Sequence, residues 1–447
     1  MTLIEEQATS KPGSGTQPAA AERPTIRLGW LDALRGIAAL LVAFHHFGLL
    51  NLIPGGPQFE KHFDLGIYAV MLFFLVSGYI VPASLERRGD VRGFWMGRLF
   101  RIYPVIIVVV TASLLILPTK YSAVPSVVTD HPVKSALANM LLLHEMLNIP
   151  SALGVMWTLC YEMVFYFFVT ALFVLGWHRR SAPIAISFAS LALLLGAFVT
   201  PAMITYDRGT TRNLILATMV VMGTAMVMVL SGRLALTRTG ALLLGGLGAV
   251  LVLFNARSTF FETMMIFATM FAGTVIFRME QGQIDRMLGW LTCGFVFVSG
   301  FLVGYMYNHG DALYRTWTAG WMGFSLPYVA AWATFGLGML LRRRRFPRVL
   351  TWLGSISYSL YLIHIPVIWG MWWLIKAGTF PKHGAGKFIP TAIFLAVTLT
   401  LSYLSYRLIE LPGQNLGRKV LKALARRAPQ EQAEPVGHGV EQRAAVR

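Results

Sequence analysis

Apolar runs of about 20 residues recur along most of this chain, and that pattern excludes most folds. In lipid every backbone N–H and C=O must be satisfied internally, so only helices and closed barrels cross a bilayer. These runs are too long and too continuously apolar for barrel strands. The expected fold is therefore all-α: a polytopic integral membrane protein with a bundle of about 10–12 transmembrane helices. Composition agrees, because only 13% of the 447 residues are charged and 56% are hydrophobic.

We place spans at 31–50, 66–85, 103–117, 155–177, 183–199, 213–230, 238–254, 259–277, 288–307, 318–341, 355–377 and 388–409. The pair at 238–277 is the weakest because both members are short, and omitting it leaves ten spans and the same orientation. Basic residues then alternate sharply between loops. One side receives Arg87, Arg88, Arg92, Arg98 and Arg101, then Arg179 and Arg180, Arg233 and Arg238, Arg342 to Arg345, and a tail with Arg418, Lys419 and Lys422. The positive-inside rule makes that side, and both termini, cytoplasmic, as expected for a bacterial-type inner membrane. Topology accounts for the net charge of +18 better than nucleic acid does, so no nucleic-acid partner is expected.

Residues 1–28 read as a disordered cytoplasmic tail without the apolar core of a signal peptide. Residues 29–418 form the membrane domain and 419–447 a basic cytoplasmic tail. The outer segment 118–154 contains SALANMLLLHEML, which suits an amphipathic helix lying on the membrane or dipping into it. Cys160 and Cys293 both lie in apolar runs and read as small buried residues, not as a disulfide or a metal site, and no metal site is expected.

Ionisable groups inside the spans are costly and point to function. In LDALRGIAALLVAFHHF, Arg35 and His46 are eleven positions apart. That is about three turns plus 20°, so they share one helix face about 16 Å apart along the axis. His45 falls roughly 80° off that stripe, whereas Asp32 lies near it. Arg98 and Arg101 sit one turn apart just before the next span, with Pro104 at its entry, and suit phosphate binding. In MWTLCYEMVFYFF, Trp157 is near the outer surface and Glu162 about two turns deep. There Glu162 is a candidate to orient His46 for proton transfer. Ser77 beside Gly78 suits close helix packing. Tyr358, Tyr361 and His364 recur every third residue and suit a hydrogen-bonded core. Arg407 and Glu410 read as a local ion pair at the inner boundary.

Taken together and in this order, LRGIAALLVAFHH, FFLVSGYI, RLFRIYP, WTLCYE and SYSLYLIH resemble the membrane-bound acyltransferase-3 family, from about Trp30 to Arg418. The resemblance implies an O-acyltransferase with about ten core helices. Its co-substrate would be acetyl-CoA or another short acyl-CoA, with no permanently bound cofactor. The acceptor would be a carbohydrate or other hydroxyl compound, such as surface or exported polysaccharide. It further implies that Arg35 and His46 are the essential arginine and histidine, that Arg98 and Arg101 are the R-x-x-R pair for acyl-CoA, and that Glu162 is the carboxylate after the tryptophan. Ser77, Trp157, Tyr358, Tyr361 and His364 are expected to line the tunnel, hold the oxyanion or serve structure. Many relatives carry a soluble hydrolase-like C-terminal domain, and none is expected from the residues here. Two other readings compete: a proton-coupled secondary transporter, which would show inverted repeats, and a non-catalytic subunit of a polysaccharide-export assembly.

Overall fold

The computed structural model describes residues 29–116, 130–309, 316, 318–380 and 384–427. The expected tail at 1–28, the first part of the 118–154 segment and the end of the chain from 428 lie outside the described residues. Among the described residues there is no strand, and ten helices are long and apolar enough to cross a membrane.

The helices in chain order are α1 (Gly29–Phe47), α2 (Gly56–His62), α3 (Leu65–Arg88), α4 (Val91–Ile116), α5 (Pro132–Met140), α6 (Trp157–Val174), α7 (Ser181–Leu195) and α8 (Arg208–Leu230). They continue with α9 (Leu234–Phe254), α10 (Phe260–Glu280), α11 (Arg286–Tyr307), α12 (Trp321–Leu340), α13 (Arg348–Lys376), α14 (Ile389–Ser405) and α15 (Leu411–Arg427). The pair read as weakest from sequence, α9 and α10, consists of two 21-residue helices. Nearly every side chain of α10 is buried, and it packs against α7 and α3 at the centre of the bundle. The two short of the usual span criteria are α1 and α7. α7 has only 15 residues. α1 has the length, with 19 residues, but carries polar groups that it turns toward its neighbours.

Small residues set the crossings, as expected where lipid removes the hydrophobic drive between helices. α1 meets α13 at Gly36 and Gly354, where a Cβ on Gly354 would stand 2.0 Å from the Asp32 carbonyl oxygen. α3 meets α10 at Gly78 and Gly273, and the Thr274 hydroxyl donates to the Gly78 carbonyl across that contact at 2.8 Å. Gly78 is thus the packing member of the Ser77–Gly78 pair.

Two local expectations change, and a third feature falls to one of its two alternatives. The helix carrying Arg98 and Arg101 starts at Val91, so both arginines and Pro104 lie inside α4 and not ahead of it. Of the two alternatives for the segment after α5, lying on the membrane or dipping inward, the residues that follow the helix fit the second: His144, Glu145, Met146 and Leu147 are all buried. Asn255 and Ser258, beyond α9, bind it through the Met146 carbonyl (2.9 Å) and the Glu145 carboxylate (2.6 Å). Finally, Glu410 does not pair with Arg407. Residues Tyr406–Glu410 form a π-helical turn just before Pro412, which has no N–H for the Leu408 carbonyl. In this widened turn Glu410 is 1% exposed and faces α4, while Arg407 is exposed.

Candidate active site

A cavity, with about 840 Å³ of empty space that includes its opening to solvent, lies between α1, α3, α4, α6 and α13. Its walls carry Arg35, Ser77, Arg98, Arg101, Glu162, Tyr358 and Tyr361, so one void collects seven of the ten residues singled out from sequence. His46, His364 and Trp157 do not line it. Trp157, at the start of α6, packs edge-on to Phe74 (6.4 Å) and Tyr161 (5.8 Å).

The arginine end is built from contacts between helices. The Arg98 guanidinium sits over the Tyr166 ring at 4.9 Å and over Phe94 at 5.3 Å, a cation–π arrangement. Tyr166 in turn donates its hydroxyl proton to Glu162 at 2.5 Å, one turn away on α6. Arg101 lies 3.7 Å from the Glu410 carboxylate, which also accepts from Ser359 at 3.1 Å. The Arg101 side chain keeps 30% of its surface open. Arg35 is half-buried within electrostatic reach of Arg101, Glu162, Asp32 and Glu410. Three guanidinium groups therefore gather among three carboxylates, and their planar forks are of the kind that bind phosphate oxygens. Tyr166 and Glu410 belong to this network; Tyr166 escaped the sequence reading, and Glu410 was read there as the partner of Arg407. Tyr166 sits one helical turn after Glu162, a signal that was available; Glu410 is aimed by the π turn, which was not.

Away from the arginines the cavity is lined by Tyr361. Its hydroxyl meets the Thr158 hydroxyl at 2.8 Å and donates to the Val155 carbonyl at 3.0 Å. Tyr358 similarly donates to the Ile102 carbonyl at 2.7 Å, tying α13 to α4. Immediately beyond Tyr361, with ring centroids 6.0 Å apart, stands His364, which is fully buried. Its Nε2 is 3.1 Å from Nδ1 of His46, and the two rings stack at 5.2 Å. His46 itself is exposed at the end of α1.

Glu162 therefore stands with the arginines through Tyr166, and the partner beside His46 is His364. The reason is depth: Glu162 is one turn further along α6 than Thr158, which already touches Tyr361. The carboxylates near the histidine end instead belong to the segment just before α3, and they engage His45. Its Nδ1 is 2.8 Å from Glu60 and 3.9 Å from Asp64.

The arrangement is thus three arginines on one part of a cavity, Tyr361 on another, and two imidazoles next to Tyr361. Comparison with known proteins gives the class. The acyltransferase-3 family, described as an acyltransferase domain, matches residues 28–407. No curated protein and no solved structure gives a match. With its match spanning all the helices that build the cavity, the chain belongs to the acyltransferase-3 family.

Proposed function

We propose that the protein moves a short acyl group, acetyl by default, from cytoplasmic acyl-CoA to a hydroxyl of a carbohydrate acceptor such as surface or exported polysaccharide. The observation that carries this reading is the cavity itself: three arginines at one end, Tyr361 at the other, and the His364–His46 contact just beyond. By the positive-inside rule the arginine end faces the cytoplasm of an inner-membrane protein, where CoA is found.

In this reading Arg98, Arg101 and Arg35 bind the phosphates, each replacing part of its present pairing with charge-assisted contacts to phosphate oxygens. The pantetheine arm follows the cavity, past Ser77 and Tyr358, toward Tyr361. The acceptor hydroxyl approaches from the opposite surface, where Glu60 and Asp64 offer carboxylate oxygens to sugar hydroxyls. His46 takes the hydroxyl proton as general base. The acceptor oxygen forms a bond to the thioester carbonyl carbon, the carbon–sulfur bond breaks, and the departing CoA sulfur receives the proton from His46. Glu162 keeps the arginine cluster partly neutralised through Tyr166 until CoA binds.

The test is a comparative mass profile of cell-surface glycans from strains that lack the gene, carry it, or carry His46→Ala. An ester-labile acyl mass found only with the wild-type gene is the expected result. Identical profiles from well-expressed protein would overturn the carbohydrate acceptor, and the same ester with His46→Ala would overturn the base.

A further inference from the structure

The function proposed above needs a lone pair on His46 but leaves open which ring nitrogen carries it and what holds the ring. The hydrogen bonds around the two histidines answer both. A carbonyl oxygen only accepts, so each ring nitrogen facing one must carry a proton. His364 Nδ1 faces the Leu360 carbonyl at 3.1 Å, and His46 Nδ1 faces the Val42 carbonyl at 3.0 Å. Both Nδ1 atoms are therefore donors. A neutral His364 with a protonated Nδ1 has its lone pair on Nε2, and that atom is 3.1 Å from His46 Nδ1. The His46 Nδ1–H is thus shared between a carbonyl of its own helix and the imidazole of α13. A neutral His46 in that tautomer carries its lone pair on Nε2.

We infer that His364 is a positioning residue: it accepts from His46 Nδ1–H, holds the ring, and leaves His46 Nε2 as the basic nitrogen. Its function is that of the carboxylate in a histidine–carboxylate pair, performed by a neutral ring. When His46 Nε2 takes a proton, the His364 lone pair faces the N–H whose hydrogen bond has just been strengthened by charge. His364 is suited to remaining neutral, since it is 0% exposed and its second nitrogen is already committed to Leu360. The other ionisable neighbour, His45, meets His46 edge-on at 5.2 Å and directs its own Nδ1 to Glu60, so it does not compete for this contact.

This inference rests on the proposed role of His46 for its kinetic consequence but not for its geometry, and the experiment separates the two. ¹⁵N NMR of histidine-labelled full-length protein in lipid reads the tautomer without any turnover. At neutral pH we expect His46 with Nδ1 protonated and Nε2 bare, with His364→Leu shifting and broadening the His46 Nδ1 resonance. Acyl-CoA turnover in native membrane vesicles supplies the second readout. His364→Leu should lower kcat on the order of ten- to a hundredfold, less than the roughly 10⁴-fold lost when a buried carboxylate partner is replaced. KM for acyl-CoA should stay within about twofold, because the arginine end is untouched. His364→Gln, whose terminal oxygen can accept from the same N–H, should recover much of the rate. A His46 ring protonated at Nε2 in the wild type would overturn the inference, as would Gln and Leu variants equally impaired. The expected NMR signature together with undiminished turnover in His46→Ala would preserve the positioning and sink the proposed base.

Discussion

The two ends of the cavity are built differently. At the arginine end each guanidinium is met from another helix: Arg98 by Tyr166 of α6, Arg101 by Glu410 of the π turn, and Arg35 by the field of charges from α4, α6 and that turn. At the histidine end the geometry is mostly local, because His46 and His364 each bond the carbonyl four residues earlier in their own helix, and one contact joins them. A cluster of like charges inside a bundle must be compensated by groups gathered from several helices, since no single helix carries enough countercharge. A neutral ring needs only a carbonyl and a neighbour to be fixed in orientation. The binding end should therefore be sensitive to distant changes, and the histidine end mainly to its own residues.

The sharpest way to break this comparison is within α1. His46→Ala should lower acyl transfer by about 10²- to 10⁴-fold, the usual contribution of a general base, whereas His45→Ala should keep most of it. The reverse result would move the base to the His45–Glu60 pair; turnover with each variant at saturating acyl-CoA decides it. Next in size, Arg101→Ala should raise KM for acyl-CoA by about ten- to a hundredfold, as a lost charge-assisted contact would, with kcat little changed. Glu410→Gln should change KM by less, and the double variant should be non-additive because the two groups touch. A third variant joins the two ends. Gly354→Ala would press a methyl into the Asp32 carbonyl where α13 crosses α1, and overpacking of that kind costs about 1–3 kcal/mol. Thermal unfolding in detergent should show Tm lowered by several degrees.

The smallest effect lies away from the cavity, in the buried segment after α5. Burial, with Arg257 adding to it, pushes the His144 imidazole down to about 3. The unfolded chain, with an ordinary histidine near 6.5, binds more protons between those values, so stability falls as pH drops below about 6.5. Burial raises Glu145 above its ordinary value of 4.5, so this carboxyl acts in the opposite sense from about 4.5 upward to its raised value. Between pH 7 and 5 the wild type should lose more Tm, or gain less, than His144→Gln, and that difference in slope isolates the histidine.

Much of the fold was legible in the residues because a bilayer imposes its rule locally. The run lengths, the loop charges and the 11-residue spacing of Arg35 and His46 are properties of single segments. The missed features depend on more than one segment. α10 reads as a short apolar run, and only its neighbours make it the most buried helix. Glu162 reads as a deep carboxylate free to meet His46, but Tyr166 and the arginines hold it at the other end. The π turn at Tyr406–Glu410 replaces a simple one-turn ion pair with a contact to α4.

By itself, then, the sequence determined that this chain is a helical membrane bundle, which helix carries the arginine and the histidines, and which of the two histidines shares the arginine's face. Helix periodicity and the cost of exposed backbone in lipid require no more than local residues to act. The tertiary structure alone decided that His364, 318 positions away, stands against His46, and that Glu410 reaches Arg101. Those pairings follow from how α13, α14 and the π turn pack on α1 and α4. Packing is set by the glycine crossings and the shapes of many helices together, so no single stretch of the chain encodes it.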